Sequence, residues 1–253
     1  AAPAATMSRP QAIGAVPRVR ILTPSLEGTL SLQGARFDDL RLVRHTNSVG
    51  RDAVPTRLLS PVGASGSYFA SFGWVGQGVA TPNANTVWSA SSRELRPGKP
   101  VTLSWTNPTG QRFEQTIAVD EGYLFTINQR VVNTGTGAIA VRPYALLSRA
   151  GRSPDPDGWT HHVGPMSVLG GIANYDTNWG TLDEAGPDGE QATGNGGWLG
   201  FTDKYWLTAL APAGDTPLTA TFRRGTGNTY LAEYAKEPQV LAPGQQAATT
   251  TRL

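Results

Sequence analysis

Apolar and polar residues alternate along several stretches of this chain, and this alternation restricts the fold more than any other feature of the sequence. In the run 101–105 (VTLSW), threonine and serine separate valine, leucine and tryptophan, and the runs 113–119 and 218–222 follow the same rule. Successive side chains of a β-strand point to opposite faces, so each run has one face for a core and one for water. The alternation therefore predicts antiparallel sheets that are packed on one side.

Turn-forming residues separate these runs. Motifs of Gly, Pro, Asn and Asp lie at 96–99, 107–110, 120–122, 133–137, 224–228 and 242–244. The 30 Gly and 19 Pro residues also disfavour helices. We count about sixteen candidate strands and no convincing helix, since the best helical stretch, 231–236, fits a strand equally well. Strands this numerous and regularly spaced predict an all-β sandwich or barrel.

Two segments differ from this pattern. Residues 1–17 are rich in Ala and Pro and lack periodicity, so we expect a flexible tether before a single β domain over 18–253. The segment from Ser148 to Gly196 is rich in Pro, Gly and Asp, which predicts a long loop.

No apolar stretch reaches the roughly 20 residues that span a bilayer, and the N-terminus lacks the charged start and apolar core of a signal peptide. The chain begins without Met and ends within an apparent strand. We therefore expect it to be a piece of a longer protein whose membrane segments lie outside it.

Charge and cysteine content exclude several function classes. Lys and Arg total 21 against 19 Asp and Glu, and no basic run is present, so the sequence indicates no nucleic-acid partner. The chain has no Cys, which excludes disulfides, thiol catalysis and cysteine-bound zinc but leaves the cellular compartment open.

Few residues offer catalytic chemistry. The adjacent His161 and His162 can supply a general base or metal ligands, but no His-x-Glu or His-x-x-x-His spacing accompanies them. Nucleophile-elbow, phosphate-loop and dinucleotide motifs do not occur. The nearby acidic residues lack the frame of an EF-hand calcium loop: Asp155, Asp157, Asp183, Glu184, Asp188 and Glu190. We therefore assign no catalytic, cofactor-binding or metal residue.

The aromatic residues divide into two groups. Tryptophans within alternating runs are predicted to pack in the core: Trp88, Trp105, Trp198 and Trp206. Trp159 and Trp179 lie in the predicted long loop, so we expect them to be exposed. Our candidate contacts of a cleft or loop surface are Trp159, His161, His162 and Trp179.

The segment from Gly196 to Pro212 (GGWLGFTDKYWLTALAP) is the most specific in the chain. It contains a Gly-Gly-Trp that enters a strand, then a polar turn, then Lys-Tyr-Trp before an apolar strand ending in Pro. This arrangement resembles the large periplasmic domain of YidC-type membrane protein insertases. The likeness is greatest to the α-proteobacterial version. The regions 19–42, 103–132 and 143–149 agree with that domain in the same order.

This resemblance implies a β-supersandwich akin to galactose mutarotases, which faces the periplasm from the bacterial inner membrane. It also implies a non-enzymatic interaction domain, without a cofactor, that assists insertion and folding of inner-membrane proteins, alone or with the Sec translocon. The partners it implies are SecDF-type accessory subunits and nascent membrane proteins.

Two other functions remain open. A carbohydrate-binding protein or mutarotase-like enzyme of the same fold needs a His acid and a carboxylate base that face one cleft. The sequence offers His161 or His162 with Glu184 or Glu233, at no recognisable spacing. A structural spacer without a ligand is the third hypothesis.

Overall fold

The computed structural model describes residues 7–153 and 162–253, which form twenty strands and two short helices. The first half contains α1 (Arg9–Gly14), β1 (Arg18–Leu22), β2 (Leu26–Ser31), β3 (Arg36–Thr46), β4 (Pro55–Leu59), β5 (Tyr68–Gln77), β6 (Ser89–Ala90), β7 (Glu94–Leu95), β8 (Val101–Thr106), β9 (Gln111–Val119) and β10 (Phe125–Asn133). The second half contains β11 (Ile139–Ala150), β12 (Gly164–Leu169), β13 (Ile172–Asn174), α2 (Trp179–Ala185), β14 (Glu190–Asn195), β15 (Gly197–Thr202), β16 (Leu207–Pro212), β17 (Pro217–Arg224), β18 (Thr229–Lys236), β19 (Gln239–Leu241) and β20 (Gln246–Arg252).

The strands form two sheets. The larger has eleven strands in the order β14-β17-β18-β11-β5-β3-β2-β1-β7, with β19 beside β11 and β4 beside β3. The smaller has nine strands in the order β13-β12-β15-β16-β20-β10-β9-β8-β6. All strand pairs are antiparallel except β1 with β7. The predicted all-β supersandwich is therefore confirmed. Sixteen strands have five or more residues, and the four beyond our count are the short β6, β7, β13 and β19.

The core lies between the inner faces of the two sheets, as the alternation predicts. In β9 the residues Phe113, Ile117 and Val119 are buried, and the intervening Arg112 and Thr116 are exposed. Phe37 of the larger sheet is fully buried, with its ring centroid 5.1 Å from that of Phe125 in the smaller sheet. Burying large aromatic side chains from both sheets in one cluster supplies much of the hydrophobic free energy of folding.

Two glutamines link the sheets through the core. Gln115 of β9 and Gln129 of β10 are directly opposite one another and are almost completely buried. The Nε2 atom of Gln115 donates to the carbonyl oxygen of Phe72 in β5 at 2.7 Å, and that of Gln129 donates to the carbonyl of Gly73 at 2.9 Å. Strand β3 pairs with β5 at one position, Phe37 with Ala70. The two glutamine amides bind β5 beyond Ala70, where its pairing with β3 has ended.

We expected a flexible tether over residues 1–17, and the described part of it, from residue 7 onward, contains a helix. Residues 9–14 form helix α1, which Ser8 precedes as N-cap, and Ala12 is buried. The guanidinium of Arg9 forms an ion pair with the buried carboxylate of Asp39 in β3. A local Ser-x-x-Gln capping motif and one long-range ion pair, which composition does not reveal, give this segment its structure.

The segment from Ser148 to Gly196 is also more regular than the predicted long loop. Its described part contains β12, β13, α2 and β14. Asn178 caps α2, because its side chain accepts hydrogen bonds from the amides of Gly180 and Thr181 at 2.8 and 3.1 Å. Residues 231–236, our best helical candidate, lie in strand β18. Within residues 7–153 and 162–253, no helix has the length and hydropathy that crossing a membrane requires.

We predict that Gln129→Leu lowers the free energy of unfolding by about 1–3 kcal/mol, because it leaves the buried carbonyl of Gly73 without its side-chain donor. Urea denaturation of the wild type and the variant measures the difference. Gln239→Leu, at an exposed position of β19, is the matched control and should change stability by less than about 0.5 kcal/mol. Equal effects of the two substitutions would contradict the linking role of Gln129.

A second prediction concerns alkaline pH. Tyr234 of β18 bonds to Thr251 of β20 across the core, and burial raises the pKa of its hydroxyl to about 12. Because the folded-state pKa is raised, the stability that Tyr234 contributes is fully present below the unfolded pKa of about 10 and is lost as pH rises through about 12. Tyr234→Phe should therefore show a shallower loss of stability between these pH values. Tyr205→Phe, at an exposed position, should follow the wild type in chemical denaturation across the same pH range.

Candidate functional site

The outer face of the larger sheet carries a groove. Two cavities, of about 810 and 220 Å³, share five lining residues and so form one continuous depression: Pro82, Asn83, Ala84, Tyr144 and Leu146. We call the larger cavity the open groove and the smaller one the end pocket. Strands β5, β11, β17 and β18 form the floor, and residues 81–84 form one wall. Grooves of this size with mixed polar and apolar lining are the usual places where proteins bind ligands.

Tyr144 lies between the two cavities. Alternation in β11 directs Tyr144 and Leu146 outward, while Ala145 and Leu147 are buried in the core. The Tyr144 ring covers Gly73 of β5, where a Cβ atom would be only 2.7 Å from the tyrosine oxygen. A glycine is therefore needed for the ring to lie against the sheet. Burial, together with the charge of Glu233, raises the pKa of the Tyr144 hydroxyl.

Polar side chains occupy the floor of the open groove. Glu233 of β18 accepts hydrogen bonds from Arg223 of β17, at 2.7 Å from Nε and 3.3 Å from Nη2. Both side chains are about one-third exposed, so the pair is only partly shielded from water. Thr219, Thr221 and Gln191 line the same floor and have free surface toward the groove. These groups can donate to and accept from the backbone of an extended ligand.

The end pocket is mostly apolar but contains one guanidinium. Phe69, Trp88 and Leu231 line it together with Arg36, the first residue of β3. The guanidinium carbon of Arg36 lies 5.8 Å from the centroid of the Phe69 ring. Its Nη1 donates to the carbonyl of Ala84 at a long 3.4 Å. Burial lowers the pKa of Arg36, because the charged form loses hydration.

Of the four candidate contacts from the sequence, the two that the structure describes, His162 and Trp179, do not line this groove. Trp159 and His161 lie outside the described residues. His162 is half-buried, and its Nε2 donates to the carbonyl of Pro165 at 2.8 Å. Our expectation that Trp179 is exposed is wrong: it begins α2 and is 9% exposed. Its ring stacks on that of Phe201 at 5.5 Å, because α2 covers one end of the core.

The predicted core tryptophans vary in depth. Trp88 is 4% exposed, whereas the other three are partly buried: Trp105, Trp198 and Trp206. Trp206 packs edge-on against His45, with ring centroids 4.9 Å apart. Tyr205, beside it, is 72% exposed. Exposed aromatic surface therefore lies near Trp206 rather than at Trp179.

Asp183, one of the acidic residues of the long segment, forms ion pairs. Asp183 accepts from the Tyr230 hydroxyl at 2.8 Å and also pairs with Arg152 and Arg224. Hydrogen bonds from Arg152 and Tyr230 lower the pKa of the Asp183 carboxyl. Asp155 and Asp157 lie outside the described residues. Among the residues that are described, no group of three or more His, Asp or Glu side chains is arranged to hold a metal ion.

Sugar chemistry of the mutarotase kind needs an acid and a base at one cleft. Among the described residues, Glu233 is the carboxylate that lines the groove, and no histidine lines either cavity. The carboxylate of Glu233 is also occupied by its hydrogen bonds from Arg223. The groove therefore presents a binding surface rather than an acid–base pair.

Arg36 and Tyr144 are among the groove residues that we did not select from the sequence. The alternation of Tyr144 and Leu146 with buried residues was the available signal, since it places both on one face of a strand. No signal in the sequence indicated that Arg36 lies beside them, because β3 and β11 are far apart in the chain.

Solved structures with the same fold are sugar-related proteins. A putative aldose 1-epimerase from Escherichia coli K12 superposes with a TM-score of 0.57 over 93% of this chain and 97% of its own, at 12% identity. A galactose mutarotase-like protein from Lactobacillus casei superposes with a TM-score of 0.54 over 92% of this chain and 98% of its own, at 10% identity. Likenesses at this identity show the shared fold and carry no function.

Relatives in sequence indicate a narrower family than the shared fold does. The membrane protein insertase YidC of Zymomonas mobilis is 39% identical over 241 residues, which are 95% of this chain and 42% of that protein. The YidC of Bradyrhizobium diazoefficiens is 39% identical over 98% of this chain and 41% of its own length. The chain thus spans less than half the length of these two relatives. The relatives that it matches are mostly alpha-proteobacterial. The YidC periplasmic domain family matches residues 18–253, and the chain belongs to that family.

Proposed function

We propose that this domain is a non-enzymatic interaction module of a membrane protein insertase, which faces the periplasm from the inner membrane. Membership of the YidC periplasmic domain family supports this function, as do the insertase relatives at 39% identity. The module assists insertion and folding of inner-membrane proteins, alone or with the Sec translocon. This chain spans 42% of the Zymomonas relative, and we assign insertion itself to the remaining part of such proteins.

The groove on the larger sheet is the proposed contact surface, and it is the observation that carries the proposal. It is about 810 Å³ in its open part and is floored by side chains that can bond to a peptide backbone, among them Thr219, Thr221 and Gln191. Tyr144 adds a flat aromatic surface at the junction with the end pocket. Proteins bind extended segments by combining such hydrogen-bonding groups with pockets for apolar side chains.

Two kinds of occupant suit this groove. One is a periplasmic segment of a nascent membrane protein, and the other is a segment of a SecDF-type accessory subunit of the translocon. Of the candidate contacts from the sequence, His162 and Trp179 do not line the groove, and Trp159 and His161 lie outside the described residues. The groove residues Tyr144, Thr221 and Glu233 take their place in the proposal.

A photo-crosslinking residue at Thr221, in the full-length insertase that contains this domain, should yield adducts with partner polypeptides, because Thr221 faces the open groove. The matched control is Thr226, exposed at the turn between β17 and β18. Adding Tyr144→Ala should lower the Thr221 yield about ten-fold, a loss typical of an aromatic residue at the energetic centre of an interface. Equal yields from Thr221 and Thr226 would show that the groove is not the contact surface.

We also expect the purified domain not to accelerate aldose mutarotation above the buffer rate, because no histidine among the described residues lines the groove with Glu233. Polarimetry with freshly dissolved sugar measures the rate. Acceleration that disappears in a variant with both His161→Ala and His162→Ala would favour the sugar-enzyme hypothesis. Acceleration that disappears in Glu233→Gln would place that chemistry in the groove itself.

A further inference from the structure

Arg36 is a half-buried cation whose charge has no carboxylate beside it. Most described arginines with little exposure have one: Arg149 is paired with Asp203 at 2.8 Å, and Arg18 is paired with Asp38. Within the described part of the chain, no carboxylate oxygen lies within 4.0 Å of Arg36. Asp38, two residues away, stabilises the charge of Arg36 at longer range, but it is already bonded to Arg18. The group of Arg18, Arg36 and Asp38 therefore keeps one uncompensated positive charge.

The hydrogen-bonding capacity of Arg36 is also largely unused. Its Nε is buried and has no hydrogen-bond partner in the described structure. The only acceptor that bonds the guanidinium there is the carbonyl of Ala84, at 3.4 Å from Nη1. A guanidinium that is removed from water without a counter-ion and with an unused donor destabilises the protein. An anion that enters the end pocket would offset this cost.

The shape and lining of the end pocket select among anions. The cavity is about 220 Å³ and is bounded by Phe69, Trp88, Tyr144 and Leu231 around the one guanidinium. A liquid water molecule takes about 30 Å³, so this cavity has room for several non-hydrogen atoms. That room suits a carboxylate together with a medium-sized apolar group. The planar guanidinium matches the two oxygens of a carboxylate, and the apolar walls favour a ligand whose remaining surface is hydrophobic.

The end pocket opens into the open groove, and this connection favours a peptide as the ligand. The end pocket opens past Tyr144 and residues 82–84 into the floor formed by Thr219, Thr221 and Gln191. An extended polypeptide can bond to these polar groups and direct one residue into the end pocket. A simple fatty acid has no amides for this floor.

We propose that Arg36 binds a carboxylate of an extended peptide, either a C-terminal carboxylate or an Asp or Glu side chain, with a neighbouring apolar residue in the end pocket. The inference rests on the proposed function of the groove as a peptide site, and adds to it the chemistry that the bound segment must carry. The segments that this domain recognises are therefore apolar and acidic at one position rather than basic.

Fluorescence anisotropy with labelled peptides tests this specificity. The probe is a short peptide of alternating threonine and valine that ends in phenylalanine. It is used as the free acid, as the C-terminal amide, and as the amide with an aspartate before the phenylalanine. We expect the purified chain to bind at least one of the two carboxylate-bearing peptides about ten-fold more tightly than the plain amide. Comparison of the free acid with the aspartate peptide identifies which carboxylate is bound.

Arg36→Met retains the length and apolar contacts of the side chain but removes the charge, and should abolish the preference for carboxylate over amide. Arg44→Met is the matched control on the same strand, because Arg44 is exposed and does not line the groove. Arg36→Lys, which has charge but no planar fork, should retain part of the preference.

Thermal unfolding separates binding from a structural role. Because Arg36 has no ion pair to lose among the described residues, Arg36→Met should unfold at the same or a higher temperature than the wild type. A lower unfolding temperature with an unchanged carboxylate preference would overturn the inference. So would binding of all three peptides with equal affinity, which would leave the groove as a peptide site. Absence of binding by every peptide would contradict the proposed function itself.

Discussion

The buried amides of Gln115 and Gln129 are the interaction on which the rest of the structure depends. They reach across the core from the smaller sheet and bond to the carbonyls of Phe72 and Gly73 in β5. Strand β5 is central in the larger sheet, and its pairing with β3 ends near Ala70. Buried carbonyls without donors are costly, so these two bonds both satisfy the backbone and determine the separation of the sheets at this point.

The same stretch of β5 supports the groove on its other face. Gly73 receives the Gln129 amide from the core side and carries the Tyr144 ring on the outer side. A side chain at this position would displace the ring, whose hydroxyl lies 2.7 Å from where a Cβ would be. The position of the aromatic surface in the groove is therefore determined by backbone that is bonded from within the core.

Charge is distributed unevenly around this framework. Arg223 with Glu233 and Arg149 with Asp203 are bonded pairs, so neither attracts a ligand ion strongly. Arg36 is different, because the nearby Asp38 is engaged by Arg18. Solved structures of this fold are named for epimerase or mutarotase chemistry, whereas the end pocket here offers a guanidinium and aromatic walls. One fold thus presents different chemistry through the side chains on a single sheet face.

Local patterns in the sequence determined much of this protein. Alternation identified the inward and outward faces of β8, β9 and β17, and turn motifs separated the strands. The order of motifs such as Gly196–Pro212 indicated the family, which the match over residues 18–253 confirms. These features were accessible because strand periodicity and turn chemistry depend on residues that are neighbours in the chain.

Only the tertiary structure decided the partners of side chains. Arg9, the first residue of α1, pairs with Asp39 of β3, and the buried ring of Trp179 stacks on Phe201. Alternation places Gln115 and Gln129 on the core face, but their acceptors lie in β5, more than forty residues away in the chain. Arg36 faces Tyr144 across the end pocket because strands distant in sequence are close in the sheet. Such pairings depend on the global arrangement of both sheets, which no local pattern encodes.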